Sequence, residues 1–242
     1  MRAGTRHELK QDSFRGATLG AAEKTVHWSS EHKNKLIVAV VVLVVVAGAA
    51  LGGWYYIEQQ DQKASSELSR AVRTLDTYLR PAGMPAQADF PSFASSQERA
   101  TAAHKQFQAI VDKYPHTRTA DFARYFLGLT AADLADYPAA ERDLKQVASS
   151  RNRDLSALAN FALASVYRNT NRSKDAIGIY KSLAEKPTQT VSKPAAQLEL
   201  AATYQADQQP LEAKKIYEQV QKENPATTDV GQLATAKLQE LK

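Results

Sequence analysis

The sequence predicts an all-α protein: an N-terminal transmembrane helix followed by a solenoid of helical hairpins. Three observations predict it. Residues 36–57 form a run of 22 without a single charge. Residues 122–220 hold three self-similar stretches offset by 36 and 37 residues. No segment shows the sustained period-two alternation, bounded by turn residues, that marks a half-buried strand.

Residues 1–35 carry seven Lys or Arg against four acids, in a chain with 31 basic and 26 acidic residues overall. The remainder is close to neutral and has no basic stripe interleaved with aromatics, so nucleic acid is not an expected partner. This segment is expected to be a cytoplasmic tail. It reads either as a short amphipathic helix around Val26 and Trp28 at the membrane surface or as a disordered topogenic tail. The chain has no cysteine, which excludes disulfides, thiolate metal sites and cysteine nucleophiles.

Residues 36–57 read as the transmembrane helix. At a rise of about 1.5 Å per residue the run spans a hydrocarbon core of about 30 Å. Eleven residues through Leu51 are Leu, Ile or Val. Together they favour insertion by roughly 3–7 kcal/mol on a translocon scale. The run ends in Trp54, Tyr55 and Tyr56, rings that suit the membrane interface. Lys33 and Lys35 abut one end, whereas Lys63 is the first base past the other, behind Glu58 and Asp61. The basic flank stays cytoplasmic, so residues 58–242 are expected in the periplasm. A cleaved signal peptide is the alternative. It needs an n-region of 35 residues and an apolar core longer than the usual ~7–15 residues, which favours a retained anchor. A buried soluble helix fits less well, because the run has no polar face. Gly48 and Gly52 form a GxxxG spacing. It either packs a second membrane helix or reflects a composition rich in small residues.

Residues 58–95 read as a membrane-proximal helix and a Pro-containing loop. Helix is expected over about 36–80, continuous with the span. Pro85 and Pro91 bar helix over 84–97, because proline removes a backbone donor and clashes with the preceding turn.

Residues 96–242 read as the repeat domain. Leu127, Leu163 and Leu200 fall in register, each followed by a small residue: Gly128, Ala164 and Ala201. Thirteen residues after each Leu comes Ala140, Ala176 or Ala213, and four further on Leu144, Tyr180 or Tyr217. The pattern is that of paired helices. A small residue on the first helix is expected to face a small residue on the second, so that the backbones cross closely, and a large residue one turn on fills the groove beside them. Tyr167 and Tyr204 supply bulk on the first helix of repeats two and three, where repeat one has Ala131. Ala103, Phe107, Ile110 and Pro115 match the second half of a further, divergent hairpin whose first helix is the segment near 60–80. Residues 228–242, with Leu233, Leu238 and Leu241, read as a capping helix; a solenoid end needs one polar outer face. Roughly eight helices are expected after the first.

This pattern resembles the tetratricopeptide repeat, whose period is about 34 and whose Leu-Gly, Tyr, Ala, aromatic and Pro positions it follows. The longer period puts extra residues in the loops between repeats. The terminal proline is in place at Pro225, shifted at Pro187 and absent after repeat one. The segment GWYYIEQQDQKASSELSRAV (53–72) carries a second resemblance. An aromatic membrane exit running into a polar helix and then repeats is similar to the ancillary subunit family of the SecYEG translocon. That resemblance implies a single-pass inner-membrane protein whose partners are translocon subunits, periplasmic chaperones or client polypeptides. KYPHTRTADFA (113–123) also resembles repeats of outer-membrane assembly lipoproteins and of periplasmic division-coordination proteins, but those groups carry a lipidated cysteine or a cleaved signal, and this chain has no cysteine.

No HExxH, glycine-rich phosphate loop or GxSxG occurs. His104 and His116 read as surface residues, and the pairs Asp133/Asp136 and Glu141/Asp143 as solvated faces or charge pairs. An enzyme is therefore not expected, nor a cofactor, nor a metal. The tetratricopeptide resemblance implies that the first helix of each pair lines a concave face. The candidate partner-binding residues are Phe122, Tyr125 and Leu129 in repeat one, Phe161, Ser165, Arg168 and Asn169 in repeat two, and Leu198, Ala202 and Gln205 in repeat three. They suit an extended peptide or a partner helix; the other reading is that the aromatics pack against the adjacent repeat. Three functions are compatible with these features: a translocon-associated interaction scaffold, a structural organiser of cell-wall or outer-membrane assembly, and an accessory subunit of an enzyme.

Overall fold

The structure, a computed structural model, describes residues 33–85, 91–225 and 227–241. The readings placed on residues 1–32, including Val26 and Trp28, lie outside them. Among the described residues the chain is helical, with one isolated bridge and no strand. The helices are α1 (Lys33–Leu75), α2 (Ser96–Lys113), α3 (Arg118–Asp133), α4 (Tyr137–Ala148), α5 (Arg153–Asn169), α6 (Ser173–Glu185), α7 (Lys193–Ala206), α8 (Pro210–Glu223) and α9 (Asp229–Glu240). Two units divide the chain, residues 1–56 and 57–242.

In the first unit, α1 is long and apolar enough to cross a membrane. Its valines and leucines are exposed on every side, from Ile37 to Leu51. Such a surface is unfavourable in water and ordinary in hydrocarbon, where a helix meets its own backbone hydrogen-bonding needs. A Cβ added at Gly48 or Gly52 meets nothing within 4 Å, so among the described residues no contact requires glycine there. The described part of α1 runs from Lys33 to Leu75, so it ends short of the expected 80.

The second unit opens with the end of α1. Ala64, Leu68, Ala71, Val72 and Leu75 recur at helical spacing and pack against Ala103, Phe107 and Ile110 of α2. This is the divergent hairpin. The Asp61 carboxylate accepts from the Thr119 N–H at 2.8 Å, and Glu67 binds Lys113 at 2.7 Å and the Tyr114 hydroxyl at 2.9 Å. The connection from 76 to 95 is non-helical wherever it is described, and Arg80 N–H donates to the Phe93 carbonyl at 2.9 Å.

Three regular hairpins come next: α3–α4, α5–α6 and α7–α8. Each turns on the same backbone. Ala135, Asn171 and Gln208 adopt positive φ of 60°, 58° and 58°. In each turn the next residue's N–H reaches back five residues, Asp136 to Ala131, Arg172 to Tyr167 and Gln209 to Tyr204, at 2.8–2.9 Å. This is a Schellman closure, which satisfies carbonyls that the helix end leaves without partners. Helix starts are equally explicit. Thr117, Asp136, Asn152, Ser192 and Thr228 cap α3, α4, α5, α7 and α9 through their side chains, each bond stabilising its helix by about 1 kcal/mol.

The registered residues form the core. Leu127, Leu163 and Leu200 are buried, as are Ala140, Ala176 and Ala213, and Leu144, Tyr180 and Tyr217. A Cβ on Gly128 lies 2.7 Å from Leu144 Cγ, so in repeat one the small residue faces the large residue of α4 most closely rather than the small Ala140. At α9 a Cβ on Gly231 would clash with the Pro225 carbonyl oxygen, so glycine lets the cap dock this closely. Leu238 and Leu241 pack on the core but Leu233 is 46 % exposed; Gly231 and Ala234 hold the inner face instead. The extra residues between α6 and α7 are pinned by the start of α5. Thr190 Oγ1 donates to the Asp154 carbonyl at 2.8 Å, Gln189 N–H to the Asp154 carboxylate at 3.2 Å, and Val191 is buried beside them.

Ala135→Gly and Gln208→Gly should each stabilise the protein by about 0.5–1 kcal/mol. Relief of a left-handed conformation, about 1–2 kcal/mol, exceeds the roughly 0.5–1 kcal/mol that glycine adds in unfolded-chain freedom. Asn171→Gly should gain less, because Asn tolerates that region. Gly128→Leu should destabilise by about 1–3 kcal/mol through overpacking against Leu144. Denaturant titration of the full chain in detergent measures both effects.

Candidate interaction face

The first helices α3, α5 and α7 carry the ten residues singled out as partner-binding. None of the ten is fully buried. Phe122, near the start of α3, is 38 % exposed. Tyr125 is half-buried, its ring edge-on to Phe126 at 5.4 Å, and it packs on the cluster formed by Val147, Leu155 and Ala159. Burial pushes its phenol above its ordinary value. Leu129 is half-buried.

On α5, Phe161 stands edge-on to Tyr180 with centroids 5.4 Å apart. It therefore both packs within its own hairpin and keeps part of its ring accessible. Ser165 is half-buried and Asn169, in the last turn, is exposed. Arg168 makes an ion pair at 2.6 Å with Glu199 of α7. On α7, Leu198 packs partly on the core, and Ala202 and Gln205 are half-buried. The first helices are thus linked directly: α3 touches α5, and the Arg168–Glu199 pair joins α5 to α7.

A charged network fixes repeat one to repeat two. The Glu141 carboxylate of α4 accepts from Lys145 at 2.6 Å, from Arg172 at 3.0 Å and from the Tyr167 hydroxyl at 3.2 Å. The Arg172 guanidinium stacks over the Tyr167 ring at 4.0 Å and also pairs with Asp175. The Lys145 bond first, then Arg172 and Tyr167, draw the Glu141 carboxyl down from 4.5 to about 2, against partial burial. Asp143, read from sequence as half of a solvated or paired carboxylate couple, is buried. It pairs with Arg124 at 3.4 Å and Arg142 at 2.9 Å. The positions equivalent to Arg124 are Asn160 and Gln197, and those equivalent to Asp143 are Ile179 and Ile216, so this buried pair belongs to repeat one alone. His104 is not a plain surface residue either: it is half-buried and its Nδ1 lies 3.0 Å from Thr130 Oγ1. His116 is exposed. Among the described residues no group of three metal-ligating side chains occurs.

Three hairpins with one turn geometry, buried residues at the registered positions and adjoining first helices are the features of a helical repeat array. A family model described as a tetratricopeptide repeat-like domain matches residues 27–242. The chain belongs to that family. The match begins ahead of the apolar run and so takes in the apolar helix as well as the repeats. Comparison with curated proteins and with solved structures found no match. Domains of the tetratricopeptide-like family are in general non-catalytic scaffolds for protein–protein interaction.

Sequence reasoning missed the partner of Arg168. Glu199 lies 31 residues away, and only the stacking of α7 on α5 brings the two together. It also missed Arg118, Asp121, Arg151 and Leu155, which line a cleft with Phe122. The basic loop SSRNRD (149–154) was the available signal.

A carboxyl held low when folded adds stability above its unfolded pKa and loses it as pH falls through its folded value. The Glu141 contribution is therefore complete above about pH 4.5 and lost towards pH 2. Glu141→Gln should lower Tm at neutral pH and flatten its decline between pH 4.5 and 2, the two curves converging at the acid end. Thermal melts across that window measure it.

Proposed function

We propose that the protein is a membrane-anchored scaffold of the bacterial envelope, working beside the protein translocon. In this reading residues 36–57 hold it in the inner membrane, with residues before the span in the cytoplasm and the repeats in the periplasm. The face of α3, α5 and α7 then takes an extended segment or a helix of a chaperone or client polypeptide. The observation that carries the reading is the state of that face. Phe122, Tyr125, Phe161 and Leu198 are large apolar side chains left half-accessible in a domain whose other registered apolar positions are buried. Aromatic side chains in that state offer a partner large contact area at a low cost in ordering. The translocon assignment rests on the aromatic membrane exit at residues 53–57 leading into a repeat domain.

A photoreactive amino acid in place of Phe122 or Ala202, on the first helices, should give polypeptide adducts in cells; the same residue in place of Lys214, exposed on the second helix α8, should not. One in place of Gly48 should yield adducts with translocon subunits. Adducts only with cell-wall or outer-membrane assembly proteins would assign the organiser role instead. A tag at the start of the chain should resist protease added to spheroplasts, and its digestion would overturn the orientation.

A further inference from the structure

Residues 96–241 contain eight arginines. Six have side-chain partners: Arg99 with the Thr77 carbonyl, Arg124 and Arg142 with Asp143, Arg153 with the Pro187 carbonyl, Arg168 with Glu199 and Arg172 with Glu141. Among the described residues, the side chains of Arg118 and Arg151 make no hydrogen bond or ion pair. Both are exposed and both line a single cleft of about 480 Å³. One comes from the first turn of α3 and the other from the loop before α5. Between them the cleft holds Phe122, 38 % exposed, and the buried Leu155. One carboxylate, Asp121, shares the space. Desolvation raises its carboxyl above the ordinary value, and the charge of nearby Arg124 opposes that rise. Two guanidiniums and one carboxylate leave the cleft with a net positive charge.

Guanidinium is planar and its fork matches a carboxylate with two parallel hydrogen bonds, which is why unpaired arginines in a cleft fit a carboxylate partner better than a generic anion cloud. Phe122 belongs both to the cleft and to the face of the first helices. We propose that this cleft receives an acidic side chain of a partner polypeptide, with an apolar neighbour of that residue lying on Phe122. Charge complementarity selects this occupant: the two exposed guanidiniums form no ion pair within the described residues and outnumber the one carboxylate in the cleft, and the aromatic wall gives the flanking residue apolar contact. The proposal rests on the reading that α3, α5 and α7 bind polypeptide, and it adds what that polypeptide must carry at one end of the face.

The test uses the full chain in detergent micelles and three fluorescently labelled peptides, alternating leucine with glutamate, glutamine or lysine. The glutamate peptide should bind at least tenfold more tightly than its glutamine twin, and the difference should shrink as salt rises. Arg118→Gln with Arg151→Gln should abolish that preference and leave binding of the glutamine peptide and the helical circular dichroism unchanged. Equal binding of the glutamate and glutamine peptides, tighter binding of the lysine peptide, or a preference that survives the double substitution would overturn the proposal. Ala202→Glu separates the two readings. Glutamine-peptide binding that is lost in this variant supports the face of the first helices even where no glutamate preference exists. A glutamate preference undiminished by it supports the cleft and removes the face.

Discussion

The first regular hairpin closes on one contact, a small residue of its first helix against a large residue of its second. Gly128 faces Leu144 closely enough that even one extra carbon lies 2.7 Å from it. Ala164 and Ala201 hold the same register position, with Tyr180 and Tyr217 at the large one, and all four are buried. Close approach here sets the distance between the two helices of a pair, and the distance sets how the next pair stacks, because interiors pack to crystal-like density. The rest is repetition. A turn with one left-handed residue returns the chain, a side-chain cap starts the next helix, and the first helices come to lie beside one another.

Polar groups adjust this frame where the repeats differ. Repeat one lacks a Tyr at Ala131 and carries a buried Arg124–Asp143 pair that its siblings replace with Asn160 and Ile179, and with Gln197 and Ile216. A buried charge tolerates loss of its partner poorly, so this pair commits α3 and α4 to one arrangement. The Glu141–Arg172–Tyr167 network then ties that hairpin to the next, and Asp154 ties the second to the loop before the third. Neighbour-to-neighbour coupling of this kind is how a solenoid gains rigidity without long-range contacts. A rigid face reduces the ordering cost of binding a flexible segment.

Much of this was legible in the residues. The long apolar helix, the three hairpins, the divergent hairpin ahead of them and the burial of Leu127, Leu163 and Leu200 all arise from local spacing, which sequence displays directly. What was not legible depends on pairings that cross the stack. Nothing in the sequence around Arg168 points to Glu199, and nothing around Asp143 says that Arg124 would bury it. Leu233 looked like a core residue of the cap because helical spacing alone put it in phase with Leu241. The closeness of Gly231 to the Pro225 carbonyl rotates α9 so that Ala234 faces inward and Leu233 does not. The end of α1 at Leu75 was likewise set beyond the helix itself, by the connection to α2. There Arg80 N–H donates to the Phe93 carbonyl and Phe93 N–H to the Tyr78 carbonyl, an extended pairing that helix cannot share.

Any function of the face requires the first helices of successive hairpins to adjoin. The chain has no cysteine, so Arg168→Cys with Glu199→Cys introduces the only two thiols, at positions whose native side chains meet at 2.6 Å. A short bismaleimide should join them within one chain, giving a compact monomeric adduct that retains native helical circular dichroism. Failure to crosslink in the folded protein, or adducts that form only between chains, would contradict the arrangement of α5 beside α7.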